Sequence, residues 1–598
     1  MTLNELLAQF DEVWLCDTEF ISKPGERPDV VCLCAKELKS GRMLRLWRTQ
    51  LGEVPPYRLD AKVLHVHFVS NAECGSHLSL GWPLPARVLD LSPEFRNLMN
   101  GCQAPHGKGL IGALAYFGID VIGTQRKDAM RKRIIEGWPF APGEQQDILA
   151  YCLEDAESLE LLLIKLLPFI NLTIALYRGE FVAVSAVMEH RGVPIDMSIF
   201  PRLTDKHTWR ILRDDMVPAI DAQYGCYVKA KNGDWSFSQE NFEAYLIRQG
   251  IDWPRLESGK LNLRRKTFEN MSKGWPQLEE LRQLRHTRDK MRKIRLAVGS
   301  DGRNRTVLWP FQSKTSRTQP KASQWIFSPA VWLRSLIQPG PGMAVAYIDY
   351  SSMEFLLAAA LSNDQVMLEL YASGDPYLGF AKRVGTAPLS ATKQTHEDLR
   401  ERYKVGLLAI QYGMAAEALA ARLGVSSFEG HELLAQHRAL LAIYWAWSSD
   451  WVAHALDNGG MRTVYGWQCQ TGITEFNERS IRNWPIQSTG AEILRIACIL
   501  AHRRGIQLCG PVHDAVLIEA PIDRIEADVA KMQTIMQQAS RIVLNAQPGG
   551  PHELRTEAVI VRYPDRYSDK RGVRIWNRML ELLAKHEQQE AERARRRG

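Results

Sequence analysis

The sequence lacks the features typical of secreted, membrane-spanning and repeat proteins. Its ten cysteines form no C-x-x-C pair and no even spacing, so a disulfide framework is not expected. The run CLC at 32–34 is apolar and strand-like, which favours reduced, buried thiols in a cytosolic protein. No stretch approaches 18 uncharged apolar residues, and the N-terminus MTLNELLAQFDEVW carries acids where a signal peptide would be basic. Neither an internal repeat nor a low-complexity segment is present.

Length and composition indicate a globular protein with several domains. At 598 residues the chain is too long for a single core, and roughly three to five domains or subdomains are expected. Its hydrophobic content of 45% and charged content of 24% are those of a soluble protein. Between 254 and 305 there are 15 Lys and Arg but 6 Asp and Glu, an excess larger than the net charge of +7. Such a basic band favours contact with a polyanion over a merely solvated helix face.

The patterning divides the chain into three regions. Residues 1 to about 170 alternate strand-like runs with helical stretches, which predicts an α/β domain. From about 175 to 335 the pattern is mostly helical and basic, with a Gly- and Asn-rich break at VGSDGRNRT. From about 336, after the turn-forming sequence LIQPGPG, strands and long helices are mixed.

Carboxylates in the first region form a candidate metal site. The strand VWLCDTEF carries Asp17 and Glu19, which face the same side because they are two residues apart. A second strand leads into a helix start bearing Glu73, and an amphipathic helix stacks Tyr151 over Asp155 at i, i+4. Four carboxylates suit two divalent metals at a phosphodiester, with the tyrosine hydroxyl orienting the attacking water. D-x-E alone is weak evidence, and the prediction rests on the order and setting of the set.

A second carboxylate pair is predicted in the last region. The apolar strand AVAYI at 344–348 ends on Asp349, and a helix-forming run that contains Glu354 follows. A carboxylate at a strand end is costly unless it is paired or binds a cation, although Asp349 could instead cap the next helix. Further on, LCGPVHDAVLIEA predicts two strands that meet at His513 and Asp514. The tip of that hairpin would bring Asp514 beside Asp349 as a second two-metal pair.

One helix face between these carboxylates suits a nucleotide. In RERYKVGLLAIQYGMAAEALA, four residues recur every fourth position and therefore share a face: Arg400, Lys404, Leu408 and Tyr412. Two cations at one end would bind phosphates, and the aromatic ring at the other end would lie near the base. The alternative is a surface helix with a chance basic edge.

Together these motifs resemble those of the family A DNA polymerases, the bacterial DNA polymerase I family, and are most similar to its shorter phage and plasmid members. DYSSMEF resembles motif A, the face from Arg400 to Gly413 resembles motif B, and VHDA resembles motif C. RSIRNWPIQSTGAEILR resembles the motif that tracks the template and the minor groove, and KTSRTQP the stretch whose arginine reads the minor groove at the primer end. The N-terminal set resembles a DEDDy 3′-5′ proofreading exonuclease. The resemblance extends from Asp17 to about Ala520.

The resemblance implies an α/β and α+β multidomain fold, with an RNase H-like exonuclease domain followed by a right-hand polymerase domain. The expected boundaries are 1–172 for the exonuclease, 173–335 for the thumb and connecting helices, 336–365 for the palm with motif A, 366–465 for the fingers with the motif B helix near 400–414, and 466–598 for the palm with motif C and a basic C-terminal tail. The several hundred N-terminal residues of a 5′ nuclease are lacking, so that activity is expected to be absent.

The resemblance also implies two metal-dependent active sites. Two Mg²⁺ or Mn²⁺ are expected in the polymerase site, with the ligands Asp349, Tyr350 and Asp514. Two divalent metals, Mg²⁺, Mn²⁺ or Zn²⁺, are expected in the exonuclease site beside Tyr151, with the ligands Asp17, Glu19, Glu73 and Asp155.

Substrate-binding residues follow from the same motifs. The expected nucleotide-binding residues are Arg400 and Lys404 at the triphosphate, Glu354 against the sugar, Tyr412 near the nascent pair, and Leu408 and Tyr377. The expected DNA-binding residues are His513 at the primer terminus, Arg317, Arg479 and Gln487 at the minor groove, and Asn483 along the template.

Four positions depart from the family pattern. Ala515 stands where many relatives have a third acid, and Leu408 replaces an aromatic beside the sugar. Tyr377 stands where a phosphate-contacting histidine is common, and Ser316 precedes Arg317 where glycine is usual. None of these departures removes a metal ligand.

The predicted function is template-directed DNA synthesis with 3′-5′ proofreading, in phage or plasmid replication. We expect a monomer that acts on primer-template DNA and dNTPs in the cytoplasm, that of the bacterial host if a phage encodes it, with no membrane partner. The alternatives are a gap-filling repair polymerase, a single-subunit RNA polymerase and an inactive DNA-binding protein. Glu354 and the exonuclease set argue against the RNA polymerase, and the full set of carboxylates argues against an inactive protein.

Overall fold

The computed structural model describes residues 1–119, 124–231, 233–290, 295–328, 330–471, 477–545, 547, 550 and 552–596. Its helices and strands form several layered units, which confirms the predicted α/β and α+β multidomain fold. Within these ranges, no helix combines the length and the apolar character that crossing a bilayer requires. All ten cysteines are free, and nine of them are buried.

A five-stranded mixed sheet forms the N-terminal unit. Its strands are β1 Glu12–Ile21, β2 Asp29–Glu37, β3 Met43–Trp47, β4 Val63–His67 and β5 Val88–Asp90. The spatial order is β3-β2-β1-β4-β5, with antiparallel pairing on the β2 side of β1 and parallel pairing on the β4 side. Central strands of this kind are buried on both faces, which explains the apolar run from Val13 to Cys16.

Helices cover the N-terminal sheet. They are α1 Leu3–Leu7, α2 Asn71–Ser79, α3 Leu91–Leu98, α4 Leu110–Tyr116, α5 Thr124–Glu136 and α6 Pro142–Leu166. Helix α6 lies across β1 and β2, and α2 packs against β1. The buried side chains of α6 include Leu159, Leu162 and Leu163, spaced at three to four residues as on one face of an amphipathic helix.

The middle of the chain is helical as far as Lys290. Its elements are α7 Leu172–Arg191, β6 Val193–Pro194, α8 Phe200–Thr204, α9 Lys206–Asp221, β7 Tyr227–Lys229, β8 Trp235–Phe237, α10 Gln239–Arg248, α11 Arg265–Gly274, α12 Glu279–Lys290 and β9 Arg303–Asn304. Helices α11 and α12 carry much of the predicted basic band, whereas its residues 291–294 lie outside the described residues.

Beyond α12 the prediction of mostly helical structure up to 335 is wrong, except at the predicted break VGSDGRNRT. Among the described residues from 295 to 335, the regular elements are β9 and a 3₁₀ turn at Val331–Leu336. The buried amide of Asn304 organises this segment, because it donates to the carbonyls of Ala297 and Gln324 at 2.8 Å each and accepts from the Ile326 N–H at 2.9 Å. One side chain thus satisfies backbone groups that a helix would have paired.

The last region surrounds a four-stranded antiparallel sheet with the order β13-β14-β10-β15. Its elements are β10 Met343–Tyr350, α13 Met353–Ser362, α14 Gln365–Ala372, α15 Pro376–Arg383, α16 Glu397–Gln411, α17 Ala416–Leu423, α18 Ser427–Leu440, α19 Ala442–Asp457, β11 Gly460–Arg462, β12 Gln468–Gln470, α20 Glu478–Arg503, β13 Leu508–Val512, β14 Ala515–Pro521, α21 Ile525–Leu544, β15 Thr556–Arg562 and α22 Val573–Arg595.

Several local predictions for this region are confirmed. The run AVAYI lies within β10, and the two strands predicted in LCGPVHDAVLIEA are β13 and β14, which meet at His513 and Asp514. The basic C-terminal tail forms the end of α22, while residues 597 and 598 lie outside the described part of the chain. The proposed domain boundaries stay predictions.

A buried ion pair joins the N-terminal unit to the rest of the chain. Nη1 of Arg178 on α7 donates to both carboxylate oxygens of Glu94 on α3, at 2.8 and 2.7 Å. Its Nη2 donates to the carbonyl of Tyr465 at 3.1 Å. The two side chains are only 5% and 4% exposed, so neither charge has water as a substitute partner.

Replacing Glu94 by alanine should therefore destabilise the protein strongly. Glu94→Ala leaves the Arg178 guanidinium buried without its counter-ion, and we expect the free energy of unfolding to fall by about 3 to 5 kcal/mol in urea denaturation. Glu369→Ala is the matched control, because Glu369 pairs with Arg383 at an exposed position. That variant should lose less than about 1 kcal/mol. Equal losses for the two variants would contradict the role given to the buried pair.

Candidate active sites

The sheet register brings the two predicted polymerase carboxylates together. Asp349, near the end of β10, pairs across the strands with Ala515, the first residue of β14, so Asp514 at the hairpin tip lies beside it. The Asp514 side chain acts on Asp349 at close range, and Oδ1 of Asp349 is buried without a partner. Burial and then the charge of Asp514 raise the pKa of Asp349 to about 7. A buried Asp349 oxygen that lacks a partner and lies near a second carboxylate fits a divalent cation. The Tyr350 backbone adjoins this pair, because its N–H donates to the Asp514 carbonyl at 3.4 Å.

The alternative that Asp349 caps the following helix is wrong. Helix α13 begins at Met353, and the residue in the capping position is Ser352, whose side chain makes no capping hydrogen bond. Ser352 has a φ of 53°, a left-handed conformation that turns the chain sharply between strand and helix. Asp349 is thereby left at the strand end and free of the helix.

A third acid lies on the other side of Asp349. Glu557 on β15 pairs in register with Asp349, opposite Ala515 on β14, and its negative charge also raises the pKa of Asp349 after burial and Asp514. Cross-strand neighbours point to the same face of a sheet. Sequence reasoning missed Glu557, because only the register of a distant strand shows its position.

The residues of the predicted nucleotide-binding face lie on α16 and at its C-terminal end. Arg400, Lys404 and Leu408 are half-buried, and Tyr412, at the end of the helix, is 39% exposed. Lys404 faces the carboxylates, since its charge opposes the burial that raises the pKa of Asp349. The four residues thus lie along one partly accessible side of α16, as their four-residue spacing predicts.

Arg400 is held by carboxylates that sequence reasoning missed. Its Nε donates to Oδ2 of Asp375 at 2.6 Å, and its Nη1 pairs with Glu401. Asp375 also caps α15 through hydrogen bonds from the N–H groups of Tyr377 and Leu378. The Tyr377 side chain is only 2% exposed, and its ring centroid lies 5.6 Å from the Arg400 guanidinium. Tyr377 therefore adjoins the site behind Arg400.

Glu354 contacts two predicted site residues, Tyr412 and Arg317. The Tyr412 hydroxyl donates to Oε1 of Glu354, and Nη2 of Arg317 lies 3.8 Å from the same oxygen. Gln487 lies near the Tyr412 side chain. Burial raises the pKa of Glu354, against the lowering effects of the Tyr412 hydrogen bond and of Arg317.

Arg479 and Asn483 lie near the start of α20. The Arg479 side chain packs against Gly413, where an added Cβ would come within 2.9 Å of its Cγ. Gly413 has a φ of 75°, so the chain needs glycine here for its conformation as well as for the close approach. The Asn483 amide donates to the Arg479 carbonyl at 2.8 Å, within its own helix.

A large basic cleft opens beside these residues, between α11, α12 and β13. Its volume is about 1320 Å³, and both Arg317 and His513 line it. Nine Lys and Arg against four Glu give its lining five net positive charges; the basic residues are Arg265, Lys273, Arg282, Arg317, Arg334, Arg495, Lys570, Arg571 and Arg574. Such a cleft attracts a polyanion.

Ser316, which stands where glycine is usual in the family, has a backbone conformation that favours glycine. Ser316 adopts a φ of 60°, a left-handed conformation that is costly for any residue except glycine. The buried Arg495 on α20 holds it by donating to its carbonyl and to its Oγ, at 3.0 Å each. Arg495 was not predicted as a site residue, because nothing in its local sequence distinguishes it from other helical arginines.

The predicted exonuclease carboxylates converge on β1 and α6. Carboxylate oxygens of Asp17, Glu19 and Asp155 lie within 4.8 Å of one another, and Tyr151 lies one helical turn before Asp155. Burial and then the Asp155 charge raise the pKa of Asp17 to about 7, while burial and then the Asp17 charge raise that of Glu19. The Asp17 Oδ2 is buried without a partner, so this donor set fits a divalent cation.

Glu73 lies near the three carboxylates, but its oxygens are not among those within 4.8 Å of one another. Its side chain is 3% exposed and its Oε2 has no partner, and burial followed by the Asp17 charge raises its pKa. Glu73 is carried by α2, which packs on the opposite face of β1, where Oγ of Ser76 lies 3.0 Å from Oγ1 of Thr18.

A lysine that the sequence did not reveal completes this group. Nζ of Lys127 on α5 forms an ion pair with Oδ1 of Asp155, and it lies 6.0 Å from the centroid of the Tyr151 ring. The helix sequence TQRKDAMRKRIIE is basic throughout, so no pattern distinguishes Lys127 from its neighbours.

A second cluster of metal-binding residue types lies on the other face of β1. It consists of Cys16, His65 and His67, all buried. His65 already bonds through both ring nitrogens, with Nδ1 3.8 Å from the Cys16 Sγ and Nε2 2.9 Å from the Arg58 carbonyl. We interpret this cluster as a hydrogen-bonded core network.

Known proteins share this architecture. The sequence profile of DNA polymerase family A matches residues 328–548, which include Asp349, α16 and Asp514. DNA polymerase I of Deinococcus radiodurans is 26% identical over 34% of this chain and 22% of its own length. That of Mycobacterium leprae is 30% identical over 30% and 22%, and the thermostable DNA polymerase I of Thermus thermophilus is 25% identical over 33% and 25%. The matches thus span a quarter or less of these relatives.

The fold similarity extends much further than the sequence similarity. The POL domain of Pol1 from M. smegmatis, in a complex with DNA primer-template and dNTP, matches 92% of this chain and 94% of its own. The TM-score is 0.65 at 18% sequence identity, so this likeness concerns the fold.

The left-handed conformation of Ser316 predicts an unusual order of stability between two variants. Ser316→Gly and Ser316→Ala both lose the hydroxyl that Arg495 contacts, but only alanine keeps the steric cost of a φ of 60°. We expect the glycine variant to be the more stable by about 1 kcal/mol in urea denaturation. The control is the same pair of variants at Ser185, inside α7, where the alanine variant should be more stable than the glycine variant. An alanine variant at 316 as stable as the glycine variant would contradict the assigned strain.

Proposed function

Because this chain belongs to DNA polymerase family A, we propose that it extends a primer 3′ end by template-directed addition of dNTPs. The observation that carries the proposal is the meeting of Asp349 and Asp514 at the hairpin tip, opposite Lys404, within the segment that matches the family. Paired carboxylates facing a cationic helix are what phosphoryl transfer to a nucleotide end requires.

Asp349, Asp514 and the Tyr350 backbone would hold two divalent metals. When bound, such ions activate the primer hydroxyl and stabilise charge on the departing pyrophosphate. The buried Oδ1 of Asp349 has no protein partner, which supports this assignment. Glu557 adds negative charge beside Asp349 on the side away from Ala515, and so strengthens the attraction for cations.

Lys404 and Arg400 would bind the triphosphate. Lys404 faces the aspartates, and Arg400 carries carboxylate partners, Asp375 and Glu401, that an incoming phosphate would partly replace. Arginine pairs with carboxylate and phosphate through the same planar donors, so this exchange conserves its hydrogen bonds. Tyr377 supports Arg400 from behind with its ring.

Glu354 would select deoxyribose. Its carboxylate is held by the Tyr412 hydroxyl and lies near Arg317, which limits its freedom to move away from an added 2′-hydroxyl. Leu408, on the same helix face as Tyr412, offers the sugar an apolar contact and no hydrogen bond.

The basic cleft would bind primer-template DNA. Arg317 and His513 line it near the paired aspartates and suit the primer end. Gln487 and Arg479 adjoin Tyr412 and Gly413 and suit the minor groove, where every correct pair presents similar acceptors. Asn483 suits the template strand on the same helix. The remaining Lys and Arg would contact backbone phosphates without reading sequence.

We propose a second activity, 3′-5′ exonucleolytic proofreading, for the N-terminal unit. Asp17, Glu19 and Asp155 would hold divalent metal with help from Glu73, and Tyr151 would orient the attacking water. The unpartnered oxygens of Asp17 and Glu73 support this assignment. A role in phage or plasmid replication rests on the likeness of the motifs alone.

Reciprocal variants test both activities. Asp514→Asn should reduce primer extension at least about a hundredfold, because a preorganised electrostatic contact is removed, while degradation of single strands from the 3′ end persists. Asp17→Asn with Glu19→Gln should do the converse. Extension and degradation would be measured on one labelled primer, with Mg²⁺ and with EDTA.

Either half of this test can fail on its own. Substantial extension by Asp514→Asn would refute the palm assignment. Degradation that persists in pure Asp17→Asn/Glu19→Gln protein would refute the exonuclease assignment.

Glu354→Ala should raise ribonucleotide use relative to dNTP use by about tenfold, since one unfavourable contact of roughly 1 to 3 kcal/mol is relieved. Single-nucleotide extension with competing rNTP and dNTP measures the ratio. Tyr412→Phe is the comparison variant, because it removes the hydroxyl that bonds Glu354 but keeps the carboxylate. If Glu354→Ala selected sugars as well as the parent protein does, Glu354 would not lie against the nucleotide sugar.

A further inference from the structure

We propose that Lys127 is the resident counter-ion of the carboxylate cluster formed by Asp17, Glu19 and Asp155, and that a divalent metal must displace it from Asp155 in order to bind. The inference rests on the exonuclease activity proposed above and adds to it a built-in competitor for the metal. It follows from the ion pair, from the burial of both partners and from the oxygens that the ion pair leaves unsatisfied.

The ion pair is buried within the site itself. Nζ of Lys127 contacts Oδ1 of Asp155, and the two side chains are only 10% and 12% exposed. Arg131, one turn further along α5, exerts its charge on Glu19. Helix α5 thus presents two cations, four residues apart on one face, to the acids of β1 and α6.

One ammonium group does not satisfy this cluster. Glu73 lies near the three carboxylates, and the Oδ2 of Asp17 and the Oε2 of Glu73 remain buried without hydrogen-bond partners. Buried acceptors that lack partners are rare and costly. A divalent ion coordinates several oxygens at once, which a single lysine bonded to Asp155 does not.

Metal and lysine compete for the same oxygens. A divalent ion bound to Asp17 and Asp155 would come within a few ångströms of the ammonium group that Asp155 now binds, and like charges at that range repel strongly in a buried site. The released ammonium has a partner within reach, since the Tyr151 ring lies 6.0 Å from its present position. Lys127 therefore neutralises the cluster without metal and lowers its apparent metal affinity.

The test is a Mn²⁺ titration of the DNA-free full chain, followed by electron paramagnetic resonance. An Asp349→Asn/Asp514→Asn background removes the other aspartate pair, so the signal reports the N-terminal cluster. In that background Lys127→Met should bind Mn²⁺ about tenfold more tightly, because one opposing charge is lost. Lys132→Met is the matched control on the exposed side of α5 and should bind as the parent does. Lys127→Gln should change in the same direction as Lys127→Met and serves if the methionine variant does not fold.

The outcomes separate this inference from the exonuclease proposal. If Lys127→Met and the parent bind Mn²⁺ equally, or if the variant binds more weakly, Lys127 does not compete and the inference is overturned. The exonuclease assignment then still stands, provided that Asp17→Asn/Glu19→Gln abolishes the binding. If the parent shows no Mn²⁺ binding that depends on Asp17 and Glu19, both are overturned. If the role of Lys127 were purely structural, its replacement would lower thermal stability in EDTA and leave the Mn²⁺ affinity unchanged.

Discussion

The pairing register between β10 and β14 is the constraint on which the polymerase-like site depends. On one face of β10, Ala344, Ala346, Ile348 and Tyr350 are buried, and the Tyr350 hydroxyl donates to the Met536 carbonyl on α21 at 2.8 Å. The other face carries Tyr347 and Asp349, which are only half-buried. A slip of one residue would exchange the two faces and bury Asp349 against α21. The packing of the buried face thus fixes the carboxylate beside Asp514, where the charge of Lys404 on α16 acts on it.

Three residues in left-handed conformations mark the corners of the same site. Ser316 precedes Arg317, Ser352 leads into the helix that carries Glu354, and His513 precedes Asp514; their φ values are 60°, 53° and 60°. None is glycine, so each costs free energy that the surrounding structure must offset. The hydrogen bonds from Arg495 to Ser316 show how one of these corners is held. The strained turns thus set the approach of Arg317, Glu354 and Asp514 to one another.

What the sequence predicted depended on the range of the interaction. Strand β10, the hairpin at His513 and Asp514, and the shared face of α16 were predicted because their periodicity is local. Asp375, Glu557, Arg495 and Lys127 were missed because each acquires its position from an element distant in sequence. The prediction for the segment after α12 was wrong for a related reason. Backbone groups of that segment are paired by the side chain of Asn304 and not by a repeating backbone pattern.

The two carboxylate centres use the same electrostatic arrangement with different strength. At β10, Lys404 lies on a half-exposed helix face and is not bonded to Asp349. Its charge opposes the rise that burial causes in the pKa of Asp349. At β1, Lys127 is bonded to Asp155 in a nearly closed site. In both, monovalent cations face two or more acids, and at least one carboxylate oxygen stays without a partner. Because repulsion between like charges grows as water is excluded, the N-terminal centre holds its counter-ion the more tightly, and cation exchange there should be the more demanding step.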